Sequence, residues 1–242
     1  MYQVFLKEFK TFFNSLIAYM VICVFLTSMG LLLWVFPETS ILNYGYADME
    51  TLFALGPFVF MFLIPAVTMR MFAEEKRGGT LELLMTKPLT DWQIILGKYL
   101  SAVMIMLMAL LPTLIYYYTV YQLGDPVGNI DTAGVIGSYV GLIMLGAVFS
   151  AIGILASSLS NNQIVSFILA VFLSFMLYTG LESLAAIDTW GKWSLFFEQL
   201  GLAYHYRAMS NGMLDTRNLI YLISVSSIML FITKLIIGSR RW

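Results

Sequence analysis

The residues that could do chemistry in this sequence are few and stand far apart. His205 is the only histidine and Cys23 the only cysteine among 242 residues, so no His or Cys pair can begin a metal site. Glu74 and Glu75 would suit an intramembrane metalloprotease only beside histidines, and the apolar runs of the sequence contain none. A nucleophile in those runs would also lack a histidine base. We therefore predict no catalytic residues, no bound metal, a solvated or packing role for His205, and a packing role for Cys23.

Nucleotide chemistry is excluded by the same kind of comparison. The phosphate-binding loop needs the pattern GxxxxGK[ST], which supplies backbone amides, a lysine and a hydroxyl to the phosphates. Gly97-Lys98-Tyr99 and Gly191-Lys192-Trp193 lack both the earlier glycine and the final hydroxyl. This chain is therefore expected to hydrolyse no ATP by that route.

The composition indicates that the elements positioning these residues lie in a membrane. Hydrophobic residues make up 60% of the chain and charged residues 11%, with a net charge of −1. An ordinary soluble domain is about 45–50% apolar and about 25% charged. Disorder, a disulfide scaffold and nucleic-acid binding are excluded by the high hydrophobicity, the single cysteine and the lack of a basic surplus. The chain is predicted to be one all-α integral membrane domain covering residues 1–242.

Charge-free stretches long enough to span a bilayer give the number of membrane helices. A span needs about 20 mostly apolar residues. The longest run, Thr132–Leu181, is divided by the polar cluster Ser157–Gln163, so it supplies two spans. The runs are too long and too evenly apolar for barrel strands. The sequence predicts six transmembrane helices, at about 16–36, 51–69, 99–120, 135–156, 164–184 and 219–237.

The distribution of lysine and arginine predicts the orientation. With a cytoplasmic N-terminus, ten of the thirteen Lys and Arg residues lie on the inner side, which satisfies the positive-inside rule. Both termini are then cytoplasmic. Residues 1–15 place Tyr2 and Phe5 on one helical face and Lys7 and Lys10 on the other. That pattern predicts an amphipathic helix, either a simple anchor in the membrane interface or an elbow docked on the bundle.

Nine charged residues are concentrated in one cytoplasmic loop, 70–98. Span two is expected to continue as a helix to Arg77, where Gly78-Gly79 ends it. Thr80 is then the expected cap of a short helix over 81–85. The capping-box spacing of Thr90 and Gln93 predicts a new helix from Asp91. The short helix is unstable alone in water, so the bundle, the lipid surface or a partner's apolar groove must hold it.

Two further features bear on transport. Ionisable residues within spans are the usual mark of an ion path, and here they lie only near span ends. Pro57, Pro65 and Pro112 could break spans, although prolines in spans more often only kink them. The outer segment 185–218 is apolar and contains Trp190 and Trp193, which is typical of an aromatic layer at the membrane interface.

Two sequence motifs carry a resemblance to a known family. The first runs from Glu74 to Leu84 and continues into Thr86-Lys87-Pro88, and the second precedes span six with His205, Arg207, Gly212, Asp215 and Arg217. Both are similar to segments of ABC-2 type transporter permeases. The six spans, the cytoplasmic termini and the amphipathic start fit the same family. Within it the chain most resembles the permease subunit of the Bacteroidetes gliding-motility ABC transporter.

The resemblance implies how the work is divided between chains. Two six-span subunits, as two copies or as a pair with a sister permease, form the pathway in the bacterial inner (plasma) membrane. A separate ATPase dimer binds ATP and Mg, and an auxiliary gliding-type membrane subunit is a further partner. The short helix becomes the coupling helix, and the segment 185–218 becomes a gate that includes His205, Arg207, Gly212 and Asp215. The expected ATPase-coupling residues are Glu74, Glu75, Lys76, Arg77, Gly79, Thr80, Leu81, Glu82 and Leu84, with Glu74 and Glu75 pairing with Lys76, Arg77 or the ATPase.

Other functions stay open from the sequence. A membrane scaffold that recruits an ATPase without transport would use the same loop. An ion-coupled carrier would need buried ionisable residues, and a membrane enzyme would need catalytic residues. The leading prediction is an ATP-driven permease, as an exporter or a transporter that supports gliding motility or another cell-surface process.

Overall fold

The computed structural model describes residues 1–43, 45–86, 88–186, 194–213 and 215–239. Over these ranges the regular structure is helical, which confirms the all-α prediction for the described residues. A 3-10 turn covers Ile41–Asn43 and a π turn covers Met176–Gly180. The α-helices in chain order are α1 (Tyr2–Phe13), α2 (Leu16–Trp34), α3 (Glu50–Thr68), α4 (Arg70–Arg77), α5 (Thr80–Met85), α6 (Asp91–Leu110), α7 (Thr113–Leu123), α8 (Thr132–Leu159), α9 (Gln163–Phe175), α10 (Leu181–Ala185), α11 (Ser194–Leu200), α12 (Leu202–Ser210) and α13 (Thr216–Gly238).

Long apolar helices account for five or six membrane spans among the described residues. Five continuous stretches are long and apolar enough to cross a bilayer: Glu50–Arg77, Asp91–Leu123, Thr132–Leu159, Gln163–Ala185 and Thr216–Gly238. Helices α1 and α2 pass the same test as a pair and are bent by 70° where they join. The molecule is therefore a multi-pass membrane protein. Its helix α1 does not continue along the axis of α2 but lies at a steep angle to it.

The prolines have different effects on the second and third spans. Pro57 and Pro65 lie inside α3, and the helix continues through both. Pro112 lies between α6 and α7 and precedes the first residue of α7, where its missing amide hydrogen costs no helical hydrogen bond. The predicted third span is thus two helices joined at Leu111 and Pro112, while the second span is continuous across its prolines.

Helix α8 is the central element of the bundle. It contacts α3, α6, α9, α12 and α13. Within its most apolar stretch, 78% of the residues are buried inside the protein. Small residues allow this close packing, because a side chain would hold the neighbouring helices apart. A Cβ atom at Gly153 would lie 2.0 Å from the Thr68 hydroxyl oxygen, so α8 and α3 could not approach as closely with any other residue there.

The buried core forms two clusters at opposite ends of the bundle. One contains Phe12, Phe72 and Leu81 and lies beside α4 and α5, so we call this the α5 end. The other contains Phe149, Tyr206 and Met209 and extends to α12, so we call that the α12 end. The candidate functional residues divide between these two ends.

Candidate functional site

A serine of α8 holds the junction between α3 and α4. The Ser157 hydroxyl donates to the carbonyl of Met69 at 2.9 Å and accepts from the amides of Phe72 at 2.9 Å and Ala73 at 3.1 Å. A continuous helix would pair these backbone groups within itself, so the hydroxyl has inserted into the hydrogen-bond ladder. The direction in which α4 leaves α3 is therefore fixed by α8.

Four charged side chains connect α4 to α1 and α6. The Lys98 ammonium, whose side chain is fully buried, lies 2.8 Å from Oε1 of Glu8 and 3.0 Å from Oε2 of Glu75. It also donates to the carbonyl of Met71 at 2.7 Å. Lys7 reaches Oε1 of Glu75 at 2.9 Å from the exposed side. We call Lys7, Glu8, Glu75 and Lys98 the charge cluster, which has two positive and two negative members.

The energetics of the charge cluster depend on its burial. Taking an ammonium out of water is costly, and the two carboxylates around Lys98 offset this cost. Oε2 of Glu75 makes no directed hydrogen bond, so its 3.0 Å contact with Lys98 is ionic. Burial lowers the pKa of Lys7, but its hydrogen bond to Glu75 and the charges of Glu75 and Glu8 outweigh burial and raise that pKa above its ordinary value.

This arrangement differs from the pairing expected within the loop. Glu75 pairs with Lys7 and Lys98 rather than with Lys76 or Arg77. The Lys76 ammonium instead donates to the carbonyl of Ser158 at the end of α8. The ion pairs of Glu75 thus join three helices and are not formed between neighbours in the sequence. The reason is that α4 packs against other helices of the bundle.

Helix α5 begins one residue earlier than expected. Gly79 has a φ of +67°, a left-handed conformation that glycine adopts without strain, and it occupies the N-cap position. Thr80 is therefore the first helical residue and not the cap, and its hydroxyl donates to the carbonyl of Glu75 at 3.3 Å. The glycine turn therefore separates α4 from α5.

The side chains of α5 separate into a buried and an exposed face. Leu81 is buried in the core at the α5 end, and Leu84 is partly buried against the same cluster. Glu82 and Leu83 face outward, and 65% of Leu83 is exposed. Glu74, Arg77 and Thr80 are exposed nearby. The bundle itself thus holds α5 through Leu81 and Leu84, and its free surface is formed by other residues.

At the α12 end, the predicted gate residues fasten short helices to the bundle. His205 contacts the side chain of Asn218 through Nδ1 at 2.8 Å and the carbonyl of Gln199 through Nε2 at 2.9 Å. Its ring stacks on Tyr221 with the ring centres 3.9 Å apart. These contacts agree with a packing role for His205, since both ring nitrogens are engaged by protein groups.

The other three predicted residues of this segment also have structural contacts. Arg207 forms a bidentate pair with Glu182 at 2.7 and 3.0 Å. Gly212 has a φ of +79° in the turn after α12, and Asp215 caps α13 by accepting from the amide of Arg217 at 2.9 Å. Trp190 and Trp193, which made the segment rich in aromatics, lie outside the described residues.

Sequence reasoning missed Lys98 and Glu8. Lys98 was counted among the charges at the inner boundary of span three, although its side chain is fully buried. Its neighbours Gly97 and Ser101 are small, and Ile94 and Ala102 on the same helical face are apolar. One cation on such a face is the signal that could have indicated a buried ion pair, whereas its partner on α1 had no signal.

The described residues contain no group of three or more His, Cys, Asp and Glu side chains that could hold a metal ion. Together with the missing phosphate loop, the fold defines a multi-pass helical membrane protein whose polar machinery lies at its two ends. The chain belongs to the ABC-2 family of transporter proteins, whose family model matches residues 3–237. Chains of this family are the membrane-spanning subunits of ABC transporters and not the ATP-binding subunits, which are their usual partners. No curated protein matches the sequence.

Proposed function

We propose that this chain is the permease subunit of an ATP-driven exporter and that α4 and α5 form the arm through which a separate ATPase moves it. The observation that carries the proposal is the charge cluster, which fastens the arm to α1 and α6 while the outer face of α5 stays free. The partner ATPase dimer binds ATP and Mg, since this sequence has no phosphate loop.

The contact surface on the arm follows from which side chains are exposed. Leu83 offers an apolar group for a groove, and Glu82 offers a charge for a basic residue beside it. An apolar anchor beside a charged rim is the usual plan of a binding surface. Thr80 and Gly79 border the patch, as do Glu74 and Arg77 on α4. Leu81, Leu84 and Glu75 support the arm from within, and Leu83 joins the contact core.

The contacts of the arm suggest how a displacement would pass through the molecule. Ser157 ties the start of α4 to α8, and the charge cluster ties its middle to α1 and α6. A push on α5 would therefore move these helices together. Since α8 extends to the α12 end and contacts α12, it would carry the displacement to the opposite side of the membrane.

The sequence supports the finer parts of the proposal. The excess of Lys and Arg on one side favours cytoplasmic termini in the bacterial inner membrane. The motif from Glu74 to Leu84 is similar to that of gliding-motility permeases, so we include a role in gliding or another cell-surface process. A second copy or a sister permease completes the pathway, and an auxiliary gliding-type membrane subunit is a further expected partner.

Purification of the tagged chain from its native membrane in mild detergent tests the partner. We expect a stoichiometric ATPase to copurify, and Glu82→Lys combined with Leu83→Ala to reduce its yield at least fivefold. Glu198→Lys, the same charge change on α11, is the matched control and should keep wild-type yield. Both variants must insert in the membrane at the wild-type level. Copurification unaffected by the changes at positions 82 and 83 would overturn the assigned contact.

A further inference from the structure

A cleft of about 550 Å³ opens at the α12 end of the bundle. Four elements form it: the start of α3, the start of α8, the π turn and α12. It lies at the opposite end from the arm, so its lining residues are separate from the surface proposed to contact the ATPase. The lining residues used below are Asp48, Glu50, Asp131, Phe58, Tyr178 and Tyr206.

The charge of the cleft is negative. Asp48, Glu50 and Asp131 contribute three carboxylates to its walls. Asp48 accepts from the amides of Met49 and Glu50 at 2.6 and 3.1 Å, and Asp131 accepts from the amide of Gly134 at 3.0 Å. These bonds fix the carboxylates at helix starts. Arg207 also lines the cleft, but its bidentate pair with Glu182 already balances its charge.

The π turn supplies a second, independent feature. Tyr178 lies in the middle of this turn, is only 4% exposed and lines the cleft. Among the described residues it makes ring contacts with Phe58, Phe149 and Tyr206 but no hydrogen bond. A π turn within a helix often marks a functional site, and a phenol hydroxyl that lines a cleft without a protein hydrogen bond leaves a donor and an acceptor for a ligand.

We propose that this cleft binds an organic ammonium group, held between the carboxylates of Asp48, Glu50 and Asp131 and the aromatic wall formed by Phe58, Tyr178 and Tyr206. Aromatic faces attract ammonium groups through their negative quadrupole, most strongly where water is excluded. The carboxylates add a field that favours cations and rejects anions. A cleft of this volume accepts a small organic ligand and is far larger than a bare ion needs.

The inference does not depend on the arm or on any ATPase. It concerns one end of the chain and can be tested without the partner. Loss of ammonium binding would leave the coupling proposal unaffected, and loss of ATPase association would leave this one unaffected.

Equilibrium dialysis of labelled benzyltrimethylammonium against the full-length chain in nanodiscs of anionic lipid tests the site. We expect saturable binding that weakens about tenfold in Glu50→Gln, equivalent to about 1.4 kcal/mol for the loss of one carboxylate contact. Tyr178→Phe keeps the ring and removes the hydroxyl, so a smaller loss of a few fold is expected. Glu198→Gln lies outside the cleft lining and is the matched control, with wild-type affinity.

Benzenesulfonate, an anion of similar size, should not bind. Its binding as well as the ammonium binds would overturn the proposal, as would the absence of saturable ammonium binding or an unchanged affinity in Glu50→Gln. The ammonium can come from a lipid headgroup or from a soluble amine. Nanodiscs containing phosphatidylcholine should compete with the probe in the first case, and free choline should compete in anionic lipid in the second.

Discussion

The two ends of the bundle are held together by different kinds of interaction. At the α5 end, the Lys98 side chain is fully buried between carboxylates of two other helices. At the α12 end, the polar contacts of His205 are to neutral groups, and the ion pair of Arg207 with Glu182 is exposed. Loss of one partner of a buried ion pair strongly lowers the free energy of unfolding, whereas exposed ion pairs contribute little to it. The difference suggests that the α5 end moves as a rigid unit and that the α12 end can rearrange at lower cost.

The largest expected effect is the loss of the buried ammonium. Lys98→Met leaves the carboxylates of Glu8 and Glu75 without their shared partner and should destabilise the chain by about 3–5 kcal/mol. Thermal unfolding in detergent measures this as a lowered Tm. Lys10→Met, an exposed lysine on α1, is the matched control. Adding Glu75→Gln to Lys98→Met should recover part of the loss, and strictly additive effects would show that the two residues are not coupled.

The serine junction should have the next largest effect. Ser157→Ala leaves the amides of Phe72 and Ala73 and the carbonyl of Met69 without their shared partner, at a cost of about 1–3 kcal/mol. Ser174 provides a matched control, because it is also fully buried and its hydroxyl has no hydrogen-bond partner among the described residues. Ser174→Ala should therefore leave Tm unchanged or raise it. Equal losses in the two variants would contradict the role given to Ser157.

The ion pair at the α12 end should contribute much less. Arg207 has a side chain that is 64% exposed, so Arg207→Gln is expected to cost only about 0–1 kcal/mol. Added salt screens exposed charges, so the difference in Tm between wild type and variant should vanish near 1 M NaCl. A loss as large as that of Lys98→Met would remove the contrast between the two ends.

The smallest effect concerns the exposed member of the charge cluster. The pKa of Lys7 is raised, because its hydrogen bond to Glu75 and the nearby carboxylates outweigh the effect of burial. A raised pKa stabilises the folded chain at pH values below the ordinary 10.5, and this stabilisation is lost as the pH rises through the folded-state value. The Tm difference between wild type and Lys7→Gln should thus be constant near neutrality and shrink above pH 10.5. A difference that persisted unchanged to high pH would show that the charge of Lys7 is not its source.

Local signals in the sequence predicted local structure well. Helix α6 begins at Asp91 with the reciprocal capping bonds between Thr90 and Gln93, because both partners lie within one turn. The end of α4 at Arg77 follows from the two glycines after it. The apolar runs likewise predicted long helices, since a helix is one of few ways to satisfy the backbone in lipid.

Interactions between distant segments could not be predicted from the sequence. Lys98 is 90 residues from Glu8, and no local sequence pattern around either residue indicates that the two form a pair. The same holds for Ser157, whose partners in α4 are 84 and 85 residues away. The predicted coupling residues rest on a local motif, and their role in coupling stays a prediction. Which leucines of α5 face the bundle depends on how α4 packs, and that is set by the charge cluster.

The proposed coupling requires that ATP binding by an ATPase docked on the arm changes the α12 end of the bundle. Accessibility of Val135→Cys, a buried position at the start of α8, measures this directly in a Cys23→Ser background. In the complex with its ATPase, we expect its labelling by a membrane-impermeant maleimide to change at least fivefold on trapping with ATP, Mg and vanadate. The change should be absent when Glu82→Lys and Leu83→Ala are combined in the same chain. A bound and trapped ATPase that left the labelling rate unchanged would contradict the claim and identify the chain as a scaffold.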